Sequence, residues 1–311
     1  MTSHRPLYAG VELGGTKCIC VLGTGPDDVR EEIRLPTLQP DVTLQAIANI
    51  LETWRRRDGG YDALGIASFG PLDLRRGSAT YGHVTSSAKP GWQDIDIIGP
   101  LRADHRGPVG FDTDVNGAAL AEGRWGAAKG LGSFAYITVG TGVGVGLVVD
   151  DRIVHGCNHT ELGHVRVARM AGDFWPGICS YHGDCVEGLA SGPAIAARAG
   201  RPATELGTDD PVWEPVAHTL AQLFHTIFFT TSPQRILIGG GVGYGRPDLL
   251  ARIRRQLLTS INGFVDLADL VGGLDGFIAP PGLGERAGPL GALLLAVDAF
   301  SERPAAPLAR A

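Results

Sequence analysis

Cys179, His182 and Cys185 recur at three-residue intervals within Ile178-Cys179-Ser180-Tyr181-His182-Gly183-Asp184-Cys185-Val186-Glu187-Gly188. His164 stands far enough upstream to return from an earlier turn as a fourth donor. Two thiolates and two imidazoles are a donor set for tetrahedral zinc. Cys157 and His159 are rival donors in the same neighbourhood, and buried thiols beside a surface His182 are the plain structural alternative. Glu187 follows Cys185 by two residues, on backbone that a bound metal would hold rigid. The stretch therefore reads as a metal knot that positions a polar substrate site.

Other residues carry a second kind of chemistry. Asp112-Thr113-Asp114-Val115-Asn116 falls where a short strand, Val109 to Phe111, gives way to an Ala-rich helix from Ala118 to Trp125. A carboxylate at a helix N-terminus is favoured by the dipole by about 0.3–1 kcal/mol, so one aspartate is accounted for as a cap. Two aspartates and an asparagine exceed what one cap needs, and a carboxylate here can take a proton from a substrate hydroxyl. Glu12-Leu13-Gly14-Gly15-Thr16-Lys17 links a strand, Leu7 to Leu13, to a hairpin partner, Cys18 to Leu22. Its glycines are expected at positive φ, with exposed N–H groups, the Thr16 hydroxyl and Lys17 able to hold a phosphate. A plain Gly-Gly hairpin is the alternative. Gly140-Thr141-Gly142-Val143-Gly144 repeats the device between Phe134 to Val139 and Leu147 to Val149. It is no dinucleotide loop, because the chain returns as a strand rather than a helix. Two such hairpins suggest an internally duplicated fold with a nucleotide between its halves. Gly239-Gly240-Gly241-Val242-Gly243 closes the strand Arg235 to Ile238 with residues small enough to admit a base or ribose.

The elements that must position these residues alternate between strand and helix. Helices are expected over Val42 to Arg57, with Asp41 as N-cap, and over Pro215 to Thr230, Asp248 to Ser260 and Gly288 to Phe300. A shorter helix starts at Ser191-Gly192-Pro193. Strands are expected over Ala63 to Ser68 and Gly276 to Ala279. Cys18 and Cys20 share one strand face and read as core. Thr85 to Trp92 reads as a polar loop able to line a sugar site with hydroxyls and the Trp92 indole, or as plain surface. Ser301 to Ala311 reads as a frayed tail. At 311 residues the chain has room for two domains. The net charge of −6 argues against nucleic acid as a partner. No apolar run is long enough to span a bilayer, and Met1 to Pro6 lacks a signal-peptide layout, so the expected location is the cytoplasm. There, five cysteines point to a metal site and core thiols rather than disulfides.

In this order, the Glu12–Lys17, Asp114–Asn116, Gly140–Gly144, Glu161-Leu162-Gly163-His164 and Gly239–Gly243 motifs resemble the ROK family of sugar kinases and repressors. The stretch Cys179 to Pro193, Glu12 and Lys89-Pro90-Gly91-Trp92 are similar to the zinc-dependent fructokinases of that family. The resemblance implies an α/β fold of two actin-like, RNase H-type domains flanking a nucleotide cleft, each with a five-stranded mixed sheet. The first domain would cover residues 1–112, with the last helix, about 287–300, packing back on it. The second would cover 113–286 and carry a zinc-binding loop at about 157–188. The implied reaction is transfer of phosphate from Mg-ATP to fructose, giving fructose 6-phosphate. Asp114 would be the general base, and Asn116, Glu161, His164 and Glu187 would bind the sugar. Gly14, Gly15, Thr16, Lys17, Gly140, Thr141 and Gly142 would face the phosphates, and Gly240, Gly241 and Val242 the adenosine. Glu12 would help hold Mg2+, and His164, Cys179, His182 and Cys185 would hold Zn2+. The family also implies a homodimer. A hexokinase for mannose, glucose or an N-acylated hexosamine, and a sugar sensor without catalysis, are the alternatives.

Overall fold

The structure is a computed structural model that describes residues 5–57, 59–103, 105–244, 246–266 and 273–302. Most of the tail expected to fray, residues 303–311, lies outside the described residues. The chain divides into two compact units, Met1–Ala118 with Gly288–Ala311, and Ala119–Ala287. The division falls inside a helix rather than between residues 112 and 113, so Asp114 and Asn116 sit with the first unit.

The first unit is built on β1 (Tyr8–Leu13), β2 (Lys17–Gly25), β3 (Asp28–Pro36), α1 (Pro40–Arg57), β4 (Ala63–Ser68), β5 (His83–Val84), β6 (Ile95–Asp96), α2 (Ile98–Arg102), β7 (Val109–Thr113) and the start of α3 (Asp114–Trp125). Its five-stranded sheet runs β3-β2-β1-β4-β7, antiparallel from β3 to β1 and parallel from β1 to β7. Helix α1 buries Leu44, Ile47, Leu51 and Trp54 on one stripe and leaves Arg55, Arg56 and Arg57 in its last turn, where the helix dipole favours cations. Cys18 and Cys20 are both buried in this unit's core.

The second unit repeats the plan. It holds β8 (Phe134–Val139), β9 (Val143–Val149), β10 (Arg152–Ile153), α4 (Val186–Ala190), α5 (Gly192–Ala199), α6 (Trp213–Thr231), β11 (Arg235–Gly239), α7 (Gly240–Tyr244), α8 (Pro247–Ile261) and β12 (Ile278–Ala279). The sheet runs β10-β9-β8-β11-β12 with the same alternation of antiparallel and parallel pairs. The two units thus share one strand order, the RNase H-type order. Helix α6 buries residues on most of its faces and packs on α8. The last strand is shorter than expected, because Leu274–Phe277 closes into a helical turn before it. Among the described residues no helix is long and apolar enough to cross a membrane.

The C-terminal helix, Ala287–Ser301, belongs to the first unit. It is seated by a row of glycines. Gly10 on β1 pairs with Gly65 on β4, which pairs with Gly110 on β7, so the three stand side by side across the sheet. A Cβ on Gly10 would lie 2.6 Å from Leu293 N, one on Gly65 1.9 Å from Ala292 O, and one on Gly110 2.2 Å from Leu295 O. The obstacles are backbone atoms, which cannot turn aside as a side chain does. We predict that Gly65→Ala destabilises the protein by about 1–3 kcal/mol or more, as overpacking does. Chemical denaturation measures it, and a midpoint equal to the parent's would mean that the helix is free to lift.

Candidate functional site

In the first unit the Gly14–Lys17 turn leads from β1 into β2, and Gly14 N–H donates to Lys17 O (3.1 Å). Neither Gly14 nor Gly15 has positive φ, contrary to expectation. Gly14 is needed for close approach, since its Cβ would lie 2.7 Å from Lys17 O, whereas the space around Gly15 is open. Thr16 and Lys17 are exposed. The turn is gripped from outside by two residues. The Thr37 hydroxyl donates to Gly14 O (2.7 Å) and Thr37 N–H to Thr16 O (3.0 Å). Lys89 Nζ donates to Gly15 O (2.7 Å). Thr37 escaped the sequence reading because β3, which delivers it, did. Lys89 stood out only as part of the family resemblance. Trp92 does not line a site: it is fully buried, packs edge-on against Phe69 and donates its indole N–H to Leu38 O (3.0 Å).

Glu12, at the end of β1, and Asp114, at the first position of α3, are the carboxyls of this unit whose surroundings shift them most clearly upward. Burial, then the Asp114 charge, pushes the Glu12 carboxyl up to about 7. Its Oε2 is buried without a hydrogen-bond partner, and its Oε1 lies 2.1 Å from where a Cβ on Gly288 would sit. An oxygen anion short of a partner suits a hard divalent cation such as Mg2+. Burial raises Asp114 to about 6, although Val115 N–H donates to its Oδ1 (2.8 Å). Such a carboxyl accepts a proton more readily than a solvated aspartate and is still ionised at neutral pH. Asp112 has a different task. Its Oδ1 accepts from Thr113 N–H (2.7 Å) and from the Asn116 side-chain amide (2.7 Å). Asn116 is buried, and this bond fixes it to the strand–helix junction that aims Asp114.

The second unit carries the metal-ligand cluster. His164 ends a short 3-10 turn, Leu162–His164, and Cys185 caps α4, its Sγ accepting from Gly188 N–H (3.4 Å). Between them, Cys179 N–H and Gly183 N–H exchange bonds with each other's carbonyls, with Gly183 at φ 64°. This tight loop brings the donors together. His164 Nδ1 lies 3.7 Å from Cys179 Sγ and 3.6 Å from Cys185 Sγ, and His182 Nδ1 lies 3.6 Å from Cys179 Sγ. The four ligand atoms all fall within 4.8 Å of one another. Bonds of about 2.3 Å to sulfur and about 2.0–2.1 Å to nitrogen around tetrahedral zinc require sulfur–nitrogen separations of about 3.6 Å. The cluster therefore fits the ion. Cys157 and His159 lie outside it; Cys157 is exposed, and His159 Nδ1 is 3.4 Å from Glu161 Oε1.

The cluster is joined to the second glycine hairpin. Gly163 packs so closely on β9 that a Cβ would lie 1.7 Å from Val143 O. Glu187 Oε2 accepts from Val143 N–H (3.1 Å) and lies 2.6 Å from where a Cβ on Gly142 would be. Its other oxygen is 4.0 Å from His164 Nε2. His164 thus turns Nδ1 to the sulfurs and Nε2 to Glu187, the division of labour that an imidazole allows. Gly140 O accepts from Gly192 N–H at the start of α5 (2.7 Å), and Thr141 is exposed at the turn. Gly240, at φ 83°, makes the sharp entry from β11 into α7, where a Cβ would strike Val139. Gly241 has open space around it, and Val242 is buried.

Known proteins are similar to this chain along nearly its whole length. A fructokinase of Zymomonas mobilis is 39% identical, over 96% of this chain and 99% of that protein. A putative fructokinase of Bacillus subtilis is 38% identical, over 96% of this chain and 98% of that one. Among solved structures, the ROK hexokinase from Thermus thermophilus has a TM-score of 0.74 at 27% identity, covering 95% of this chain and 99% of that. The family model described as ROK family matches residues 8–299, and the chain belongs to that family.

Proposed function

We propose that this protein is an ATP-dependent fructokinase. The observation that carries this reading is the near full-length likeness to fructokinases at 38–39% identity. The raised Asp114 carboxyl and the four-ligand cluster beside Glu187 support it at the level of residues. In the reaction, a fructose hydroxyl oxygen forms a bond to the γ-phosphorus as the bond from that phosphorus to the β,γ-bridging oxygen breaks. Asp114 takes the hydroxyl proton, and ADP leaves. Positioning and charge neutralisation supply most of the rate in phosphoryl transfer. Backbone donors of Gly14, Gly15, Gly140 and Gly142, with Thr16, Lys17 and Thr141, would hold the phosphates. Gly240, Gly241 and Val242 would flank the adenosine. Glu161, His164 and Glu187 would hold sugar hydroxyls, while Asn116 acts through Asp112 to aim Asp114. Glu12 would hold Mg2+, which supplies neutralisation of the phosphate oxygens when bound.

His164, Cys179, His182 and Cys185 would hold Zn2+ in a structural role. Burial pushes the Cys185 thiol above its ordinary range. A metal would convert it to thiolate and lock Glu187 against Val143 N–H. The working form would be a homodimer, as the family resemblance suggests, placed in the cytoplasm by the reading of its sequence, and sedimentation measures the assembly. A hexokinase acting on mannose, glucose or an N-acylated hexosamine is the second reading, favoured by the likeness to the hexokinase from Thermus thermophilus. ADP release measured across a panel of these sugars separates the two. Fructose is expected to give the highest kcat/KM, and a different leading sugar would replace the first reading by the second. Absence of ADP release with every sugar, despite a sugar-dependent thermal shift, would favour a non-catalytic sensor.

Asp114→Asn is expected to lower kcat by about 10²–10⁴ while sugar binding measured by calorimetry is kept. In the parent, kcat/KM is expected to rise with pH through about 6, where Asp114 ionises, because only the carboxylate accepts a proton. Near-parental turnover in Asp114→Asn would remove Asp114 from the role of base. Zinc removal by a chelator, with Mg2+ restored, is expected to lower both the thermal midpoint and the sugar affinity. Metal analysis should find one zinc per chain, lost in Cys179→Ser. Full sugar affinity in zinc-free protein would show that the cluster does not position Glu187.

A further inference from the structure

We infer that Lys89 is a positioning residue for phosphate binding, acting through the peptide plane between Gly15 and Thr16. All four carbonyls of the Gly14–Lys17 turn have donors. Gly14 O takes the Thr37 hydroxyl, Gly15 O takes Lys89 Nζ at 2.7 Å, Thr16 O takes Thr37 N–H, and Lys17 O takes Gly14 N–H. In a planar trans peptide the C=O and the following N–H point in opposite directions. Fixing Gly14 O on Thr37 therefore turns Gly15 N–H away from Thr37. Fixing Gly15 O on Lys89 likewise turns Thr16 N–H away from Lys89. Each of these two amides is thereby turned away from the residue that holds the preceding carbonyl, where a phosphate oxygen can accept from it.

The clamp is needed because the turn does not hold itself there. Gly15 has no Cβ, and the space around it is empty, so nothing in its own sterics resists rotation of the Gly15–Thr16 peptide. Lys89 is the one charged donor among the four bonds. Its ammonium polarises the peptide, strengthening Thr16 N–H as a donor. It also keeps the Gly15 carbonyl dipole from facing a bound phosphate. The distance from Lys89 Nζ to Thr37 O is 3.5 Å, so the same ammonium bridges the turn to the segment that follows β3. Trp92, buried three residues on, and Ser87, whose hydroxyl accepts from Lys89 N–H (3.1 Å), fix the backbone from which Lys89 reaches.

This inference rests on the kinase reading for the identity of the anion, and the test separates the two. Calorimetry measures MgATP and adenosine binding to the parent, Lys89→Met and Lys89→Arg, beside steady-state kinetics with fructose. Lys89→Met is expected to weaken MgATP binding and raise the KM for ATP about tenfold, the usual effect of losing a charge-assisted bond. Adenosine affinity and the KM for fructose should stay at parental values, and Lys89→Arg should recover most of the loss. Equal MgATP affinity in parent and Lys89→Met overturns the clamp and leaves the kinase reading standing. A raised KM for fructose with ATP unaffected also overturns it, because Lys89 would then serve the sugar. A parent that binds MgATP more tightly than Lys89→Met but phosphorylates no sugar keeps the clamp and overturns the kinase reading.

Discussion

The first unit depends on how closely its last helix lies on its sheet. Gly10, Gly65 and Gly110 remove three side chains from adjacent strands at one level, and the helix backbone occupies the space they leave. Gly117 and Gly291 continue the contact, with α3 and the C-terminal helix approaching so closely that a Cβ on Gly291 would lie 2.3 Å from the Gly117 carbonyl carbon. This packing brings Gly288 onto the Glu12 carboxylate. The burial that contributes most to raising Glu12 is thus inherited in part from helix seating, and the Asp114 charge adds to it.

The two units solve the same local problem with different materials. Each has a strand–glycine turn–strand at the same place in the same strand order. In the first, the turn's carbonyls are captured by Thr37 and Lys89. In the second, Glu187 accepts an amide of the hairpin, and Gly192 N–H takes a carbonyl. Glu187 in turn follows a cysteine of the four-donor cluster. The geometry of the second turn is therefore tied to the four-donor cluster, and that of the first to an ammonium and a hydroxyl.

Much of the site was legible in the sequence because its chemistry is local. The Cys179–Cys185 spacing, the Asp112–Asn116 junction and both glycine hairpins are short motifs whose side chains meet across a few residues. What escaped was set by distant partners. The strand β3 leaves little periodic signal because Asp28–Pro36 is an edge strand rich in charge, half-buried at best, and charge on an edge guards against unwanted pairing. Thr37 went with it. Gly10, Gly65 and Gly110 each look like an isolated weak point in a strand, and only the register shows them as one groove. Trp92 looked like a sugar platform because its neighbours are polar, yet the loop folds its indole into the core. The type of the two glycines in the first turn points to positive φ, whereas close approach, not handedness, demands Gly14.

The order of the chain adds a consequence for biosynthesis. The C-terminal helix that completes the first unit follows the whole of the second unit in sequence. Domains emerge from the ribosome N-terminal end first and fold as units. Here the first sheet must wait, with its glycine groove uncovered, until Ala287–Ser301 has been made. The second unit has no such debt and can fold ahead of it. A chain whose translation stops early would carry the assembled four-donor cluster but an incomplete first unit around Glu12 and Asp114, so the first unit would be the last part of the nascent protein to be finished.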